Sequence, residues 1–209
     1  MIKTVIFDLG GVIITIDQKQ AVSHFEEIGV TDASKLLDPY RQAGFFGDLE
    51  EGKITDEEFR SLLSKHVGHE LSWDQCAYGW QGYVKEVPRR NLDYLLHLRE
   101  QGYRVVLLSN TNPYMMDWAR SNRFSGDGHP LDFYLDKLYL SYQVRLMKPN
   151  SQFFWHVMQQ EKVLPEESLF IDDGPRNCAA ASQLGINTLC VINGDDWTSE
   201  VTDYLNKKK

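Results

Sequence analysis

Short runs of apolar and β-branched residues recur along this chain, and segments with helical signals separate them. Because the runs are apolar at successive positions, both faces of each strand are expected to be buried, as in the parallel sheets of α/β proteins. The pattern therefore predicts an α/β fold built on a parallel sheet. The five predicted strands cover residues 4–7, 104–108, 137–141, 168–171 and 187–192.

A long insertion separates the first predicted strand from the second. About 100 residues lie between Asp8 and Ser109, far more than one crossover helix needs. This stretch shows helical patterns without a convincing strand, and Thr55 with Glu58 forms a capping box. We therefore predict a core domain of residues 1–16 and 89–209 and a helical second domain of residues 17–88. The helical patterns cover residues 20–28, 33–43, 55–67 and 73–84.

Composition narrows the class of protein. The chain has 209 residues, of which 42% are hydrophobic, and a net charge of −8 that disfavours nucleic acid and anionic membranes as partners. A small phosphorylated substrate stays possible, because a bound divalent cation can override the global charge locally. The three cysteines lack a CxxC pair, which argues against disulfides and zinc and favours the cytoplasm. We expect neither a secretory signal nor a membrane span.

Polar side chains stand where the predicted strands end. Because the carboxyl ends of parallel strands meet at one edge of the sheet, these side chains are expected to lie close together. Carboxylates, a hydroxyl and a fixed cation at one edge suit a divalent metal ion and a phosphoryl group. The residues are Asp8 after the first strand, Ser109 and Asn110 after the second, Lys148 beyond the third, and Asp172 and Asp173 after the fourth.

At these positions the sequence resembles the haloacid dehalogenase superfamily of phosphatases and phosphotransferases. The resemblance implies a Rossmann-like parallel sheet with helices on both faces and an inserted all-helical cap, which accounts for residues 17–88. It extends to a subgroup of small cytoplasmic phosphatases that includes bacterial sugar 1-phosphate phosphatases. The four motifs are FDLGGV at 7–12, LSNT at 108–111, KP at 148–149 and FIDDGPRN at 170–177.

The resemblance also implies catalytic roles for individual residues. Asp8 would be the nucleophile that forms an aspartyl-phosphate. Ser109 and the amide of Asn110 would hold phosphate oxygens, and Lys148 would neutralise both Asp8 and the phosphate. Asn177 would orient the loop of the fourth motif. The implied reaction is hydrolysis of a small phosphorylated metabolite.

Magnesium is the implied cofactor. Asp8, the backbone carbonyl of Gly10 and Asp173 would hold the ion, with Asp172 behind them or bridged through water. Hard oxygen ligands and retained waters suit Mg²⁺. The sequence leaves the identity of the substrate and the oligomeric state open.

Gly10 is a departure from the family pattern. Many phosphatases of the superfamily carry at this position a second Asp, which protonates the leaving group and then activates water. Loss of a general acid costs about 10²- to 10⁴-fold in rate. The reaction should therefore favour sugar 1-phosphates, acyl phosphates or aryl phosphates over simple alkyl monoesters, or take a proton from the cap or from water. His24 is the nearest cap histidine, although a helix-surface role is the stronger expectation for it.

Other functions remain open from the sequence. A metal-independent 2-haloacid dehalogenase would use the same Asp8, with Arg41 as a halide or carboxylate contact, but Asp172 and Asp173 would repel an anionic haloacid. A non-catalytic phosphate-binding sensor could have lost the general acid. A phosphonate-cleaving enzyme would need a Schiff-base lysine in the cap, for which there is no local signature, and the inserted cap counts against a phosphoacceptor receiver domain.

Aromatic residues of the cap are candidates for a substrate pocket. Aromatic side chains at helical spacing more often pack between helices, and that is the stronger expectation here. The candidates are Tyr40, Phe45, Phe46, Trp73, Trp80 and Tyr83.

Overall fold

A five-stranded parallel sheet forms the centre of the protein, seen in a computed structural model that describes residues 1–38 and 42–208. Its strand order is β5-β4-β1-β6-β7, and every neighbouring pair is parallel, which confirms the predicted α/β fold. The predictions at Tyr40 and Arg41 lie outside the described residues. The strands are β1 Thr4–Phe7, β2 Thr15–Ile16, β3 Val84–Glu86, β4 Arg104–Ser109, β5 Lys137–Leu140, β6 Ser168–Asp172 and β7 Asn187–Cys190.

The register of the central strands brings their carboxyl ends together. β1 is fully buried and lies between β4 and β6. Phe7 is level with Leu107 on one side and with Ile171 on the other. The residue after Phe7 therefore emerges beside the ends of both neighbouring strands, where ligands bind in open parallel sheets.

Helices surround the sheet, and several begin at the capping signals seen in the sequence. The Thr55–Glu58 capping box is present, Asn112 caps a helix that starts with Pro113, and Asn150 caps the next long helix. Within the described ranges, no helix has the length and apolar character needed to cross a bilayer. The helices are α1 Gln18–Glu27, α2 Ala33–Leu36, α3 Gly44–Glu50, α4 Asp56–Val67, α5 Trp73–Gln81, α6 Arg89–Glu100, α7 Pro113–Ala119, α8 Leu131–Tyr134, α9 Ser141–Val144, α10 Ser151–Glu161, α11 Pro175–Gln183 and α12 Thr198–Lys207, with a 3₁₀ turn at Pro165–Glu167.

Helices α1 to α5 lie between β2 and β3, which pair with each other antiparallel. The expectation that this stretch contains no strand was wrong: α5 ends at Gln81, and β3 begins at Val84, the last residue of the predicted helix. The predicted helix over 33–43 was also too long, because α2 ends at Leu36 and Leu37 is extended. Pro39 explains the early end, since a proline disfavours helical backbone just before it. The domain boundaries at 17 and 88 stay a prediction.

Candidate active site

Asp8 follows the central strand β1 directly, at the carboxyl edge of the sheet. Its backbone N–H donates to the carbonyl of Ile171 at 3.0 Å, which ties it to β6. The N–H of Leu9 donates to Oδ1 at 2.7 Å, and Lys148 Nζ lies 2.9 Å from Oδ2. Burial raises the pKa of Asp8 to about 6, although Lys148 opposes the shift.

Lys148 is the buried cation of the site, with 1% of its side chain exposed. Its Nζ lies 2.6 Å from Asp172 Oδ2 and 2.9 Å from Asp8 Oδ2, so one ammonium bridges two carboxylates. Burial lowers the pKa of Lys148, but the charges of Asp172 and Asp8 outweigh burial and raise it. Asn110 holds the Lys148 backbone, because its Nδ2 donates to the Lys148 carbonyl at 3.0 Å and its Oδ1 accepts from the Lys148 N–H at 2.8 Å.

Asp172 is fully buried at the end of β6, and donors surround its carboxylate. Oδ1 accepts from the Gly174 N–H at 2.7 Å and from Asn177 Nδ2 at 3.0 Å. Oδ2 accepts from Lys148 Nζ at 2.6 Å. The geometry makes Asp172 the residue that positions Lys148, and Asn177 fixes the loop after β6.

Asp8, Asp172 and Asp173 form a cluster whose oxygen atoms, one from each carboxylate, lie within 4.8 Å of one another. Burial, followed by the charges of Asp8 and Asp172, raises the pKa of Asp173 to about 7. Gly11 has a positive φ of 76°, and a Cβ there would overlap the Asp173 carboxylate. The chain therefore approaches Asp173 more closely than a residue with a side chain allows. Close acidic oxygens of this kind suit a hard divalent cation.

Two adjoining cavities open at this edge. The first is here called the acid chamber and the second the cap chamber. Residues Gly10, Ile16, Gln42, Glu50 and Asn110 line both chambers. The acid chamber is also lined by Asp8, Lys148, Asp173 and Asn177, and the cap chamber by Leu9, Ile14, Trp80, Tyr83, Ser109, Thr111 and Met115.

Ser109 is 2% exposed and ends β4 beside these chambers. Its Oγ makes a long contact of 3.4 Å with the carbonyl of Asn110. A hydroxyl with so weak an internal hydrogen bond is a good donor for a ligand oxygen. The structure thus brings together all seven residues predicted for the site: Asp8, Gly10, Ser109, Asn110, Lys148, Asp172 and Asp173.

Glu50 and Gln42 were missed in the sequence analysis. Glu50 lies on the same buried face of α3 as Phe46 and Leu49 and is 7% exposed. Burial, followed by the negative charge of Asp8, raises the pKa of Glu50 to about 8. The available signal was a glutamate four residues after Phe46, a spacing that places both side chains on one helix face. Gln42 carried no comparable signal.

The aromatic residues of the cap divide between packing and cavity lining. Phe45 and Phe46 pack against Phe59 with ring centroids 5.5 and 4.9 Å apart, and Trp73 packs against Tyr114 at 5.0 Å. The expectation of helix packing is thus confirmed for these three, whereas Trp80 and Tyr83 line the cap chamber. Among the described residues, none accepts a hydrogen bond from the buried Nε1 of Trp80.

His24 lies away from both chambers. Its ring stacks on Tyr78 with centroids 4.1 Å apart, and its Nδ1 is 3.0 Å from the Tyr78 carbonyl oxygen. The surface role expected for His24 agrees with this position. The cap lysines also fail to line either chamber, which agrees with the absence of a Schiff-base signature. They are Lys19, Lys35, Lys53, Lys65 and Lys85.

Residues 2–185 match the sequence profile of a family described as haloacid dehalogenase-like hydrolases. The curated relatives include D-ribitol-5-phosphate phosphatase from Bacteroides thetaiotaomicron. It is 47% identical over 206 residues, which cover 99% of this chain and 100% of the relative.

Solved structures are similar over nearly the whole chain. A predicted HAD-like family hydrolase from Porphyromonas gingivalis is 43% identical, with a TM-score of 0.93 and 98% of both chains covered. A HAD family enzyme from Bacteroides thetaiotaomicron, solved in complex with magnesium and inorganic phosphate, is 35% identical. Its TM-score is 0.87, with 96% of this chain and 99% of that chain covered.

Proposed function

Because this chain belongs to the haloacid dehalogenase-like hydrolase family, we propose that it is a magnesium-dependent phosphatase acting on a phosphate monoester of a small sugar or sugar alcohol. The observation that carries the proposal is the convergence of Asp8, Asp173 and Lys148 on one chamber at the carboxyl edge of the sheet. The named substrate of the 47% identical relative supports this substrate class. A cytoplasmic location is part of the proposal and is supported by the three unpaired cysteines.

In the proposed reaction, a carboxylate oxygen of Asp8 forms a bond to phosphorus as the bond from phosphorus to the ester oxygen breaks. Lys148 balances the negative charge of Asp8 and of the phosphoryl group, and Ser109 donates to a phosphoryl oxygen. Water then attacks the phosphorus of the aspartyl-phosphate. This second step releases inorganic phosphate and restores the Asp8 carboxylate.

The carboxylate cluster fits Mg²⁺, because Lys148 balances only part of the negative charge of three carboxylates so close together and Mg²⁺ prefers oxygen ligands of this kind. The proposed ligands are Asp8, Asp173 and the backbone carbonyl of Gly10. Asp172 lies behind them, where its oxygens accept hydrogen bonds from Lys148 and Asn177. Bound Mg²⁺ supplies positive charge that stabilises the phosphoryl oxygens.

The alternatives from the sequence have less support. A haloacid dehalogenase would have to bind an anionic substrate beside Asp8, Asp172 and Asp173, with Lys148 already paired to two of them. A sensor without activity would not need the nucleophile, the cation and the metal ligands to be kept together. A phosphatase uses every member of the arrangement.

Phosphate release from D-ribitol 5-phosphate and a panel of sugar phosphates tests the proposal. We expect release with Mg²⁺, none with EDTA, and a fall of at least about 10³-fold for Asp8→Asn. Asp203→Asn, an exposed acid on α12, is the matched control and should keep wild-type activity. Equal activity of Asp8→Asn and wild type, or no release from any phosphate ester by the wild type with Mg²⁺, would refute the proposal.

A further inference from the structure

The proposed reaction needs a proton donor for the leaving ester oxygen, and the loop after Asp8 carries no side chain that could donate one. When the bond from phosphorus to the ester oxygen breaks, an alkoxide forms unless an acid protonates it. Position 10, two residues after Asp8, is glycine and carries no acid. The relative is named for an ester of a primary alcohol, whose alkoxide is a poor leaving group. A proton donor for such a substrate has to come from elsewhere.

Few groups that line the chambers could supply this proton. Asp8 is the nucleophile, Lys148 bridges two carboxylates, and Asp173 belongs to the metal cluster. Tyr83 donates its hydroxyl to Gln42 Oε1 at 3.1 Å, and burial raises its pKa far above the usual range. Among titratable residues that line the chambers in the described part of the chain, this leaves Glu50.

Glu50 stands at the junction of the two chambers. It lines the acid chamber together with Asp8 and Lys148, and it lines the cap chamber together with Ser109 and Trp80. A phosphoryl group held by Lys148 and Ser109 would place its ester oxygen toward this junction, with the alcohol extending into the cap chamber. The carboxyl of Glu50 would then face the ester oxygen from this junction.

We propose that Glu50 is the catalytic acid and base that replaces the residue absent at position 10, an inference that rests on the proposed phosphatase function. In the first step, the Glu50 carboxylic acid donates its proton to the ester oxygen as that oxygen leaves phosphorus. In the second step, the Glu50 carboxylate accepts a proton from the water that attacks the aspartyl-phosphate. The proton is thereby returned, and Glu50 begins the next cycle as an acid.

The surroundings of Glu50 favour the protonated form before reaction. Burial is the largest cause of its raised pKa of about 8, and the charge of Asp8 adds to it. The side-chain amide of Asn112 acts in the opposite direction. The other titratable groups that line the chambers with Glu50 are Lys148 and Asp173 in the acid chamber and Tyr83 in the cap chamber. Because burial is the leading cause, a cation beside Asp8 would leave much of the shift in place.

Two substrates separate this role from a structural one. 4-Nitrophenolate leaves without a proton, whereas the alkoxide of D-ribitol 5-phosphate needs one. For Glu50→Gln we expect kcat/KM for D-ribitol 5-phosphate to fall by about 10²- to 10⁴-fold. The burst of 4-nitrophenolate, which measures phosphoryl transfer to Asp8, should change by less than about 10-fold. The phosphoenzyme should then accumulate, because water lacks its base.

Glu51→Gln is the matched control, since Glu51 is the adjacent residue and pairs with Lys53 at the surface. It should match the wild type with both substrates. Glu50→Asp should recover part of the activity lost in Glu50→Gln. An equal fall with both substrates, or no fall with D-ribitol 5-phosphate, would overturn the role of Glu50. Inactivity of the wild type with both substrates would instead refute the proposed function.

Infrared difference spectroscopy gives a readout that does not depend on turnover. With Mg²⁺ added, so that Asp8 and Asp173 are held as carboxylates, the wild-type protein at neutral pH should show the carbonyl band of a protonated carboxylic acid that disappears in Glu50→Gln. The same band in both proteins, or no such band in the wild type, would contradict a protonated Glu50. Thermal unfolding of both proteins checks that the substitution leaves the fold intact.

Discussion

At the scale of single residues, Lys148 connects most of the site. Its ammonium is buried between Asp8 and Asp172, and its backbone is held by the side chain of Asn110. Breaking a buried ion pair by removing one partner leaves an unpaired buried charge, which is strongly destabilising. Lys148 therefore contributes to stability as well as to chemistry.

Lys148→Met should lower the free energy of unfolding by about 3 kcal/mol and reduce activity by at least about 10²-fold. The loss of stability should shrink as the pH falls, because protonation of Asp8, whose pKa burial raises to about 6, removes the unpaired charge left there. Urea unfolding at pH 5 and pH 8 measures this. Lys65→Met, on the exposed face of α4, is the control, and an equal small effect of both substitutions would contradict the account.

Asp173 makes the stability of the metal-free protein depend on pH. Its folded-state pKa of about 7 lies above the ordinary value of 3.8, so the native state holds a proton that the unfolded chain releases. The contribution of Asp173 is present below pH ~4 and is lost as the pH rises through about 7. In Asp173→Asn this loss should disappear, which makes the variant at least about 1 kcal/mol more stable than wild type at pH 8 in EDTA.

Urea unfolding in EDTA at pH 5 and pH 8 tests this difference. Addition of Mg²⁺ at pH 8 should stabilise the wild type and have little effect on Asp173→Asn. The same dependence on pH in both proteins would mean that Asp173 does not titrate as its surroundings indicate.

At the scale of secondary-structure elements, α3 carries Glu50 toward the sheet. Phe46 and Leu49 anchor the helix on the side that also presents Glu50. Beyond its end, Gly52 has a φ of 71°, and a Cβ there would overlap the backbone carbonyl of Tyr142 in α9. The close approach at Gly52 therefore sets how near α3 lies to the catalytic edge.

Gly52→Ala should push α3 away from α9 and with it move Glu50. We expect kcat for D-ribitol 5-phosphate to fall by roughly 10- to 100-fold, and the burst of 4-nitrophenolate to fall less. Gly68→Ala is the matched control, because Gly68 has a φ of 81° and its added Cβ would have no atom of the described residues within 4 Å. It carries the same backbone strain without the overlap. Similar kinetics of the two variants would show that the contact at Gly52 does not position Glu50.

Elements differ in how far the sequence could predict them. The central strands β1, β4 and β6 were predictable because they are buried on both faces and at least four residues long, whereas the edge strands β5 and β7 are only partly buried and gave a weaker pattern. β2 and β3 have two and three residues, too few to show any periodicity, so the pairing of Thr15–Ile16 with Val84–Glu86 could not be inferred. This pairing of β2 with β3 depends on the path of the chain from α5 back to the sheet.

At the scale of the whole molecule, the site is built from the ends of the sheet strands and from helices between β2 and β3. The sequence predicts the position of the first part but not of the second. Asp8, Ser109 and Asp172 follow parallel strands, so the topology alone predicts that they meet. Glu50 and Trp80 reach the same cavity from helices between β2 and β3, and no rule of sheet topology places them. The candidate residues of the sheet edge were therefore predictable, whereas the acid proposed for the leaving group was not.

The overall charge of −8 fits a site that binds its anionic substrate through local charge. Lys148 and the proposed Mg²⁺ provide this charge in the acid chamber, and because Lys148 is buried its charge is screened less than a charge at the surface. The proposed phosphatase activity thus depends on Asp8 accepting a phosphoryl group in this chamber.

Trapping of the phosphoenzyme tests this claim most directly. The protein is mixed with D-ribitol 5-phosphate or 4-nitrophenyl phosphate and Mg²⁺, quenched in acid within one turnover, and its peptides are analysed by mass spectrometry. We expect a phosphoryl group on Asp8, formed only when Mg²⁺ is present and absent from Asp8→Asn. Turnover with no label on Asp8 at any quench time, or a label on another residue, would contradict it.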